Sequence, residues 1–375
     1  MTRPPSSWYG DPATLAVDRA LGELRSGRAV RVVTPSGTRL AFAVETLRPA
    51  ALAALCGPAG RDPRLATTAQ RAAAIEWTSV DGDVSVPLAA AARLDDLRTL
   101  AGAAPLDPAH VTETAGAAVD TAGLGPVEPA ERAALELAKH ARLLPTVLSI
   151  RDEGEADPNL LTVTPAELEA YGGAGAVDLE RQSDAAVPLA DAPRCRLVVF
   201  RDRRDGSEHV AVMVGDIETA GVVDVRVHSA CLTGDLFGSL RCDCGDQLRG
   251  AIRRFSELGA GVLLYVEQEG RGIGLANKLR AYTLQEQGLD TIDANLHLGF
   301  AADERRYEVA AALLRQLGIG RIRLHTNNPR KLRALEAAGL EVVGFRTIAG
   351  AVNPHNERYI QVRRERAGHL VPDPE

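Results

Sequence analysis

The chain has 375 residues, of which 45% are hydrophobic and 25% charged, with a formal net charge of −7. That length exceeds what one hydrophobic core usually fills, so two domains are expected, and the acidic balance speaks against a general nucleic-acid binder. No stretch approaches the roughly 18 consecutive apolar residues of a membrane span, and the start, MTRPPSSWYGDP, lacks the charged-then-apolar pattern of a secretory signal. Five cysteines, odd in number and clustered toward one side, fit a reducing compartment better than a disulfide framework, so a cytoplasmic protein is expected. From residue 191 onward 26 Lys+Arg face 25 Asp+Glu, which leaves 17 against 25, or −8, for residues 1–190. The near-neutral second half is where an anionic ligand would be tolerated.

In chain order, residues 1–12 read as a frayed terminus and 15–25 as a helix with Leu15, Val17, Ala20, Leu21 and Leu24 at helical spacing. Strands are expected at 29–33 and 40–44, joined through Pro35, Ser36 and Gly37. A helix-like AALAALCG and a strand-like SVDGDVSVPL follow. Residues 102–130 read as loops with short helices, 131–142 as a helix and 146–150 as a strand. Residues 151–194 mix loop and short helix and include the connection between domains. The second half opens with strands CRLVVFRD and EHVAVMVGD around a DGSE turn. Helices are expected at 246–258, 275–287 and 309–317, with strands at 261–266 and 322–325. Asn328 and Pro329 then cap a helix that ends at Gly339, before the strand LEVVGF. This alternation predicts two α/β domains, 1–190 and 191–375. No internal repeat or low-complexity segment is present.

Three cysteines, Cys231, Cys242 and Cys244, fall within RVHSACLTGDLFGSLRCDCG (226–245). Thiolates suit zinc, and three ligands rather than four leave an open position, the pattern of a catalytic site. The competing reading is three buried small hydrophobes. Arg226 and His228 flank the first cysteine, and His228 is placed to touch a metal or to orient one of its ligands. In EQEGRGIG, Gly270, Gly272 and Gly274 let backbone N–H groups approach an anion, and Arg271 adds a forked donor. The spacing is neither a Walker A sequence nor the dinucleotide fingerprint. Glu269 is suited to the N–H edge of a guanine-like base. GFAADERRY sets Asp303 beside Arg305, and TNNPRK puts Thr326 and Lys331 at a strand end, where α/β sheets hold ligands. Aromatic residues, 4% of the chain, are too few for a stacking platform.

Together these motifs resemble GTP cyclohydrolase II: RVHSACLTGD, SLRCDCG, QEGRGIGLANKLRAYTLQEQG, DTIDAN, LGFAADERRY, TNNPRK and NPHNERY stand in the family's order. The resemblance implies a mixed sheet with flanking helices, a homodimer, and one zinc per subunit, with magnesium on the GTP phosphates. The implied reaction hydrolyses GTP to 2,5-diamino-6-(5-phosphoribosylamino)pyrimidin-4-one, formate and pyrophosphate, the first step of riboflavin biosynthesis. Carried over by motif position, Cys231, Cys242 and Cys244 would hold the zinc. Arg226, Val227, His228, Ser229, Ala230, Gln247, Glu269, Gly270, Arg271, Thr291, Thr326 and Lys331 would contact GTP. Tyr282 would line the zinc side of the pocket and Asp303 would accept a proton. Arg305 is the family's nucleophile toward the α-phosphate. Guanidinium is effectively never deprotonated, so an electrostatic clamp is the physically easier role.

One departure is Ala230, where the family carries glutamate. It motivates an alternative, a related cyclohydrolase acting on another nucleotide or in pyrimidine catabolism. A non-catalytic nucleotide-binding regulator is the reading from a different class. The first half is similar to dihydroxybutanone phosphate synthase in DRALGELRSGRAVRVV and AALELAKHARLLPTVLSIRDEG. Its acidic metal loop is replaced by TPSGTR, and the GHTE motif by Pro129, Ala130, Glu131 and Arg132. A degenerate, non-catalytic domain is therefore expected over 1–190.

Overall fold

A computed structural model describes residues 11–56, 62–104, 111–154, 157–173 and 177–370. The chain divides into two compact units, one formed by 1–176 with 276–304 and the other by 177–275 with 305–375.

Among the described residues the first unit has a seven-stranded sheet. Its strands are β1 (Val30–Thr34), β2 (Gly37–Ala43), β3 (Arg64–Thr67), β4 (Val84–Pro87), β5 (Gly125–Pro126), β6 (Thr146–Arg151) and β7 (Thr162–Val163). They lie in the order β5-β4-β3-β6-β2-β1-β7. The segment TPSGTR forms the tight β1–β2 hairpin, with Thr34 Oγ1 donating to the Gly37 carbonyl at 2.7 Å. The helix Pro12–Arg25 starts where Asp11 accepts from the Thr14 N–H at 2.8 Å, and buries Val17, Ala20, Leu21 and Leu24. The helix Pro129–His140 adds Ala130, Ala133, Ala134 and Leu137 to the same core.

A polar network is sealed into this unit. The Glu131 carboxylate is fully buried and accepts from Ser85 at 3.0 Å and Ser149 at 2.8 Å. The equally buried Arg39 guanidinium lies 3.6 Å from it and reaches Glu128 at 3.2 Å. A buried charge survives when paired and hydrogen-bonded, and removing one partner strands the other.

The second unit's sheet contains β8 (Leu179–Ala186), β9 (Cys195–Asp202), β10 (Glu208–Gly215), β11 (Val223–Ser229), β12 (Ala260–Val266), β13 (Arg321–His325) and β14 (Glu341–Arg346). Their order is β14-β13-β11-β12-β10-β9-β8. β11 to β14 pair in parallel and β8 to β10 antiparallel, with β10 closing antiparallel on β12. Side chains alternate across β12: Val262 and Leu264 enter one core with Phe200, Val225 and Leu313, while Leu263 enters the other with Phe255. That two-sided burial gives β12 its unbroken apolar run.

The expected helices at 246–258, 275–287 and 309–317 are present as Cys244–Leu258, Leu275–Glu286 and Glu308–Gln316. Three readings are corrected. Residues 151–194 are not only loop and short helix, because β8 runs through them. It is an edge strand with Leu179 alone buried, so LERQSDAA carries no apolar alternation. β11 was hidden because its second face is polar. Residues 276–304 group with the first unit, and β8, which precedes residue 190, pairs along β9 in the second. The frayed start lies almost wholly outside the described residues.

Glu131→Ala leaves Arg39 without its one buried acid, Glu128 being exposed to solvent, and should cost about 3–5 kcal/mol. Urea unfolding followed by tryptophan fluorescence checks this, because Trp77 is buried in this unit.

Candidate active site

On β11, Val223, Val225 and Val227 point into the core while Asp224, Arg226 and His228, also buried, share the opposite face. The chain leaves β11 toward β12 on one side, and leaves β13 toward β14 on the other. Where neighbouring parallel strands send their connections in opposite directions, a crevice opens at their carboxyl ends. The cysteine loop, EGRG and TNNPRK all follow the carboxyl ends of strands in this parallel group.

Cys231 and Cys242 have their sulfurs 3.7 Å apart, and all three sulfurs, Cys244 included, lie within 4.8 Å of one another. Cys244 opens the 15-residue helix Cys244–Leu258, where the helix dipole favours a thiolate. Two carboxylates brace the loop. Asp235 accepts from the Cys231 N–H at 2.9 Å and from His228 Nε2 at 3.1 Å. Glu269 accepts from the Leu232 N–H at 2.6 Å and its neighbour Gly270 N–H at 3.0 Å. A Cβ on Gly234 would sit 2.7 Å from the Cys242 sulfur and 3.1 Å from that of Cys231, so glycine is needed for the sulfurs to converge. Contacts with Cys231 push the Cys242 thiol up, and contacts with Cys231 and Cys242 push Cys244 up further. A divalent cation placed among them reverses that logic, since a coordinated thiol is deprotonated outright. The donor set fits a soft metal.

Beside the sulfurs, Arg226, Arg271, Arg305, Lys331 and Arg363 line one cavity with Cys244, and among the described residues no aspartate or glutamate lines it. Arg226 donates to Gln247 Oε1 at 2.6 Å and to the His325 carbonyl at 3.2 Å. Lys331 donates to the Val227 carbonyl at 2.7 Å. Tyr307 presents its ring to both Arg305 and Lys331, at 5.6 and 5.7 Å, a favourable cation–π placement. Thr326 Oγ1 accepts from the Asn328 N–H at 3.0 Å, and the Asn328 side chain caps the helix Pro329–Ala337. Arg271 stands in the left-handed region at φ 62°, between Gly270 at 65° and Gly272 at 95°. A side chain there costs about 1–2 kcal/mol, strain that typically collects at ligand clamps.

His369 shares this cavity and reports its potential. Burial, then Arg363, Arg305, Lys331 and Arg271, hold its imidazole down to about 2, so it is neutral at any physiological pH. Burial also lowers His228. Neutral His228 donates through Nε2 to Asp235, which leaves Nδ1 as an acceptor. That Nδ1 and Arg226 Nε are buried with no partner among the described residues, the two places where a bound molecule would supply one.

Of the residues named from sequence, Arg226, His228, Ser229, Gln247, Arg271, Arg305, Thr326 and Lys331 line the cavity with Cys244. Val227 contributes only its carbonyl, its side chain being core. Ala230 is buried, with its N–H bonded to the Val266 carbonyl at 2.9 Å. Glu269 and Gly270 form the wall of the cysteine loop. Tyr282, Thr291 and Asp303 fall in the segment that groups with the first unit. There Tyr282 sits 5.7 Å below the Lys278 ammonium, and Thr291 opens the helix Thr291–His297. Sequence reading missed Asp235, Asp243, Tyr307, Arg363 and His369. Asp243 stands between two ligands in CDC, and Arg363 follows the motif NPHNERY, so both were in view without an assigned task.

Gly234→Ala should weaken metal binding about tenfold or more, the usual scale for disturbing what supports a ligand set, read as metal content after dialysis. Because the thiols must shed protons to ligate, and their proton affinities are raised, apparent metal affinity should climb as pH rises through neutrality. Titration against a competing chelator at several pH values checks the slope.

The family model for GTP cyclohydrolase II matches residues 180–347. A GTP cyclohydrolase-2 of Azospirillum brasilense is 41% identical over 372 residues, covering 96% of this chain and 95% of that protein. The riboflavin biosynthesis protein RibBA of Parabacteroides distasonis is 53% identical over 176 residues, 47% of this chain and 44% of its own. Among solved structures, a two-domain 3,4-dihydroxy-2-butanone 4-phosphate synthase of A. baumannii, RibBX, covers 89% of this chain and 99% of its own at 16% identity and a TM-score of 0.33; so loose an overlap carries no weight for the fold. With the Azospirillum enzyme matched along nearly its whole length, the chain belongs to the GTP cyclohydrolase II family of enzymes.

Proposed function

We propose that this protein is a zinc-dependent GTP cyclohydrolase II of riboflavin biosynthesis, converting GTP to 2,5-diamino-6-(5-phosphoribosylamino)pyrimidin-4-one, formate and pyrophosphate. The observation that carries the reading is one cavity in which Cys244 of a three-thiol cluster meets five cationic side chains and, among the described residues, no carboxylate. A nucleoside triphosphate needs that charge, and opening its base needs an electrophilic centre alongside. Zinc, when held by the three thiolates, supplies Lewis acidity and makes water nucleophilic at neutral pH.

The protein's own groups then bind and orient. Arg226, His228, Ser229, Gln247, Arg271, Thr326 and Lys331 hold the nucleotide, magnesium accompanying its phosphates. Arg226 Nε and His228 Nδ1 offer a donor and an acceptor whose desolvation is offset only when the nucleotide's polar edge meets them. Arg305, over the Tyr307 ring, clamps the α-phosphate and stabilises charge as it develops. Motif position alone supports Asp303 as the proton acceptor and Tyr282 and Thr291 as substrate contacts.

We read the first unit as a synthase-like domain without that activity. Its TPSGTR hairpin carries no carboxylate, and Glu131 and Glu128 are engaged by Arg39 and its neighbours. The protein is read as a cytoplasmic homodimer. Leu236, Phe237 and Leu240, exposed on the loop between Cys231 and Cys242, are apolar surface that a second copy would cover; a monomer by sedimentation equilibrium at micromolar concentration would contradict this.

Zinc-loaded protein incubated with GTP and magnesium should release formate and pyrophosphate and form the pyrimidine absorbance, while Cys242→Ser releases no formate. Pyrophosphate without formate from wild type would place the zinc step elsewhere. Turnover of a different nucleotide in place of GTP would favour the substrate change that Ala230 motivates. Ribulose 5-phosphate should pass through unchanged, and dihydroxybutanone phosphate among the products would overturn the reading of the first unit.

A further inference from the structure

Arg363 stands apart from the other cations of the cavity because no sequence motif named it as a substrate contact. It projects from the helix Glu357–Glu365, close to the chain's end. Its placement is nevertheless tightly specified. Nη1 donates to Asp243 Oδ1 at 2.8 Å, Nη2 lies 3.2 Å from His369 Nδ1, and the guanidinium packs 5.3 Å from the Tyr359 ring centre. Asp243 sits between Cys242 and Cys244 and gives its other oxygen to the Gln247 amide, whose carbonyl oxygen in turn accepts from Arg226. A Cβ on Gly350 would come within 2.6 Å of the Asp243 Cβ, so the backbone leading to this helix is pressed directly against the metal-binding turn. The same carboxylate therefore fixes Arg363 and, through Gln247, Arg226.

A forked guanidinium held over an aromatic face beside a cavity lined by further cations is the arrangement that recognises phosphate oxygens in pairs. The amount of charge says which phosphates. A single phosphate ester carries about −1.5 to −2, which two or three of the lining cations balance. Five cations match a longer chain.

We propose that Arg363 is a substrate-binding residue that takes the terminal phosphates of the nucleotide, positioned by Asp243 from within the metal-binding turn. This rests on reading the cavity as a nucleoside triphosphate site. The helix Glu357–Glu365 thereby contributes the preference for a triphosphate over a monophosphate.

The test uses the full-length, zinc-loaded protein and calorimetric titration with GTP, GMP and inorganic pyrophosphate, with metal content measured in every sample. Arg363→Gln should weaken GTP and pyrophosphate about 10- to 100-fold, the span of one charge-assisted hydrogen bond, with metal content unchanged and GMP affected about threefold or less. Arg363→Lys, which keeps the charge and loses the fork, should recover part of the pyrophosphate affinity. Equal pyrophosphate affinity in wild type and Arg363→Gln would overturn the assignment. So would a parallel loss of GMP, pyrophosphate and metal, which marks Arg363 as a strut for the cysteine turn. A wild type that binds neither GTP nor pyrophosphate would instead remove the triphosphate reading on which the assignment rests.

Discussion

Five cations share one cavity, and the repulsion among them is what the surrounding structure has to offset. Two unit charges about 4 Å apart interact by about 4 kcal/mol at the effective dielectric of a protein surface, so a cluster of this kind does not assemble unaided. The offsetting groups stand behind the lining. Asp243 takes Arg363, the carbonyls of His325 and Val227 take Arg226 and Lys331, and Gln247 joins Arg226 to Asp243. The Tyr307 and Tyr359 rings present their faces to Arg305, Lys331 and Arg363. The cations are thus held in place, and burial together with their charge depresses the proton affinity of His369.

Cations and thiols depend on one another through the same few residues. Asp243 belongs to the cysteine turn by sequence and to the cation cluster by contact. Asp235 ties the Cys231 backbone to His228 on β11, and Glu269 ties the EGRG loop to Leu232, next to Cys231. Glu269 thus braces the loop through both carboxylate oxygens.

Much of this was legible in the chain. The spacing of Cys231, Cys242 and Cys244, the glycines around Arg271, and the Asn328–Pro329 cap each carry a local mechanism that needs no knowledge of the fold. What stayed hidden depends on tertiary neighbours. β8 has one buried side chain and pairs only with β9, so its residues show no period. β11 carries buried Asp224, Arg226 and His228, the first two with partners from distant segments, and its polar face disguises a central strand. Arg363 reads as one more charge in VRRER until Asp243, 120 positions away, is seen beside it. In the first unit the TPSGTR hairpin was legible as a loop without acids, whereas the sealed Arg39–Glu131 network was not, because its members come from β2, β4, β6 and the helix Pro129–His140.

The central claim is that the thiol cluster and the cation-lined cavity are one site that holds metal and nucleotide together. X-ray absorption at the zinc edge tests it most directly, on protein alone and with GTP added under conditions too brief for turnover. The expected result is a first shell of three sulfurs and one lighter atom that changes when GTP binds, with one sulfur lost in Cys242→Ser. A four-sulfur shell, or a three-sulfur shell indifferent to GTP, would contradict a shared site and leave the cluster as a structural staple.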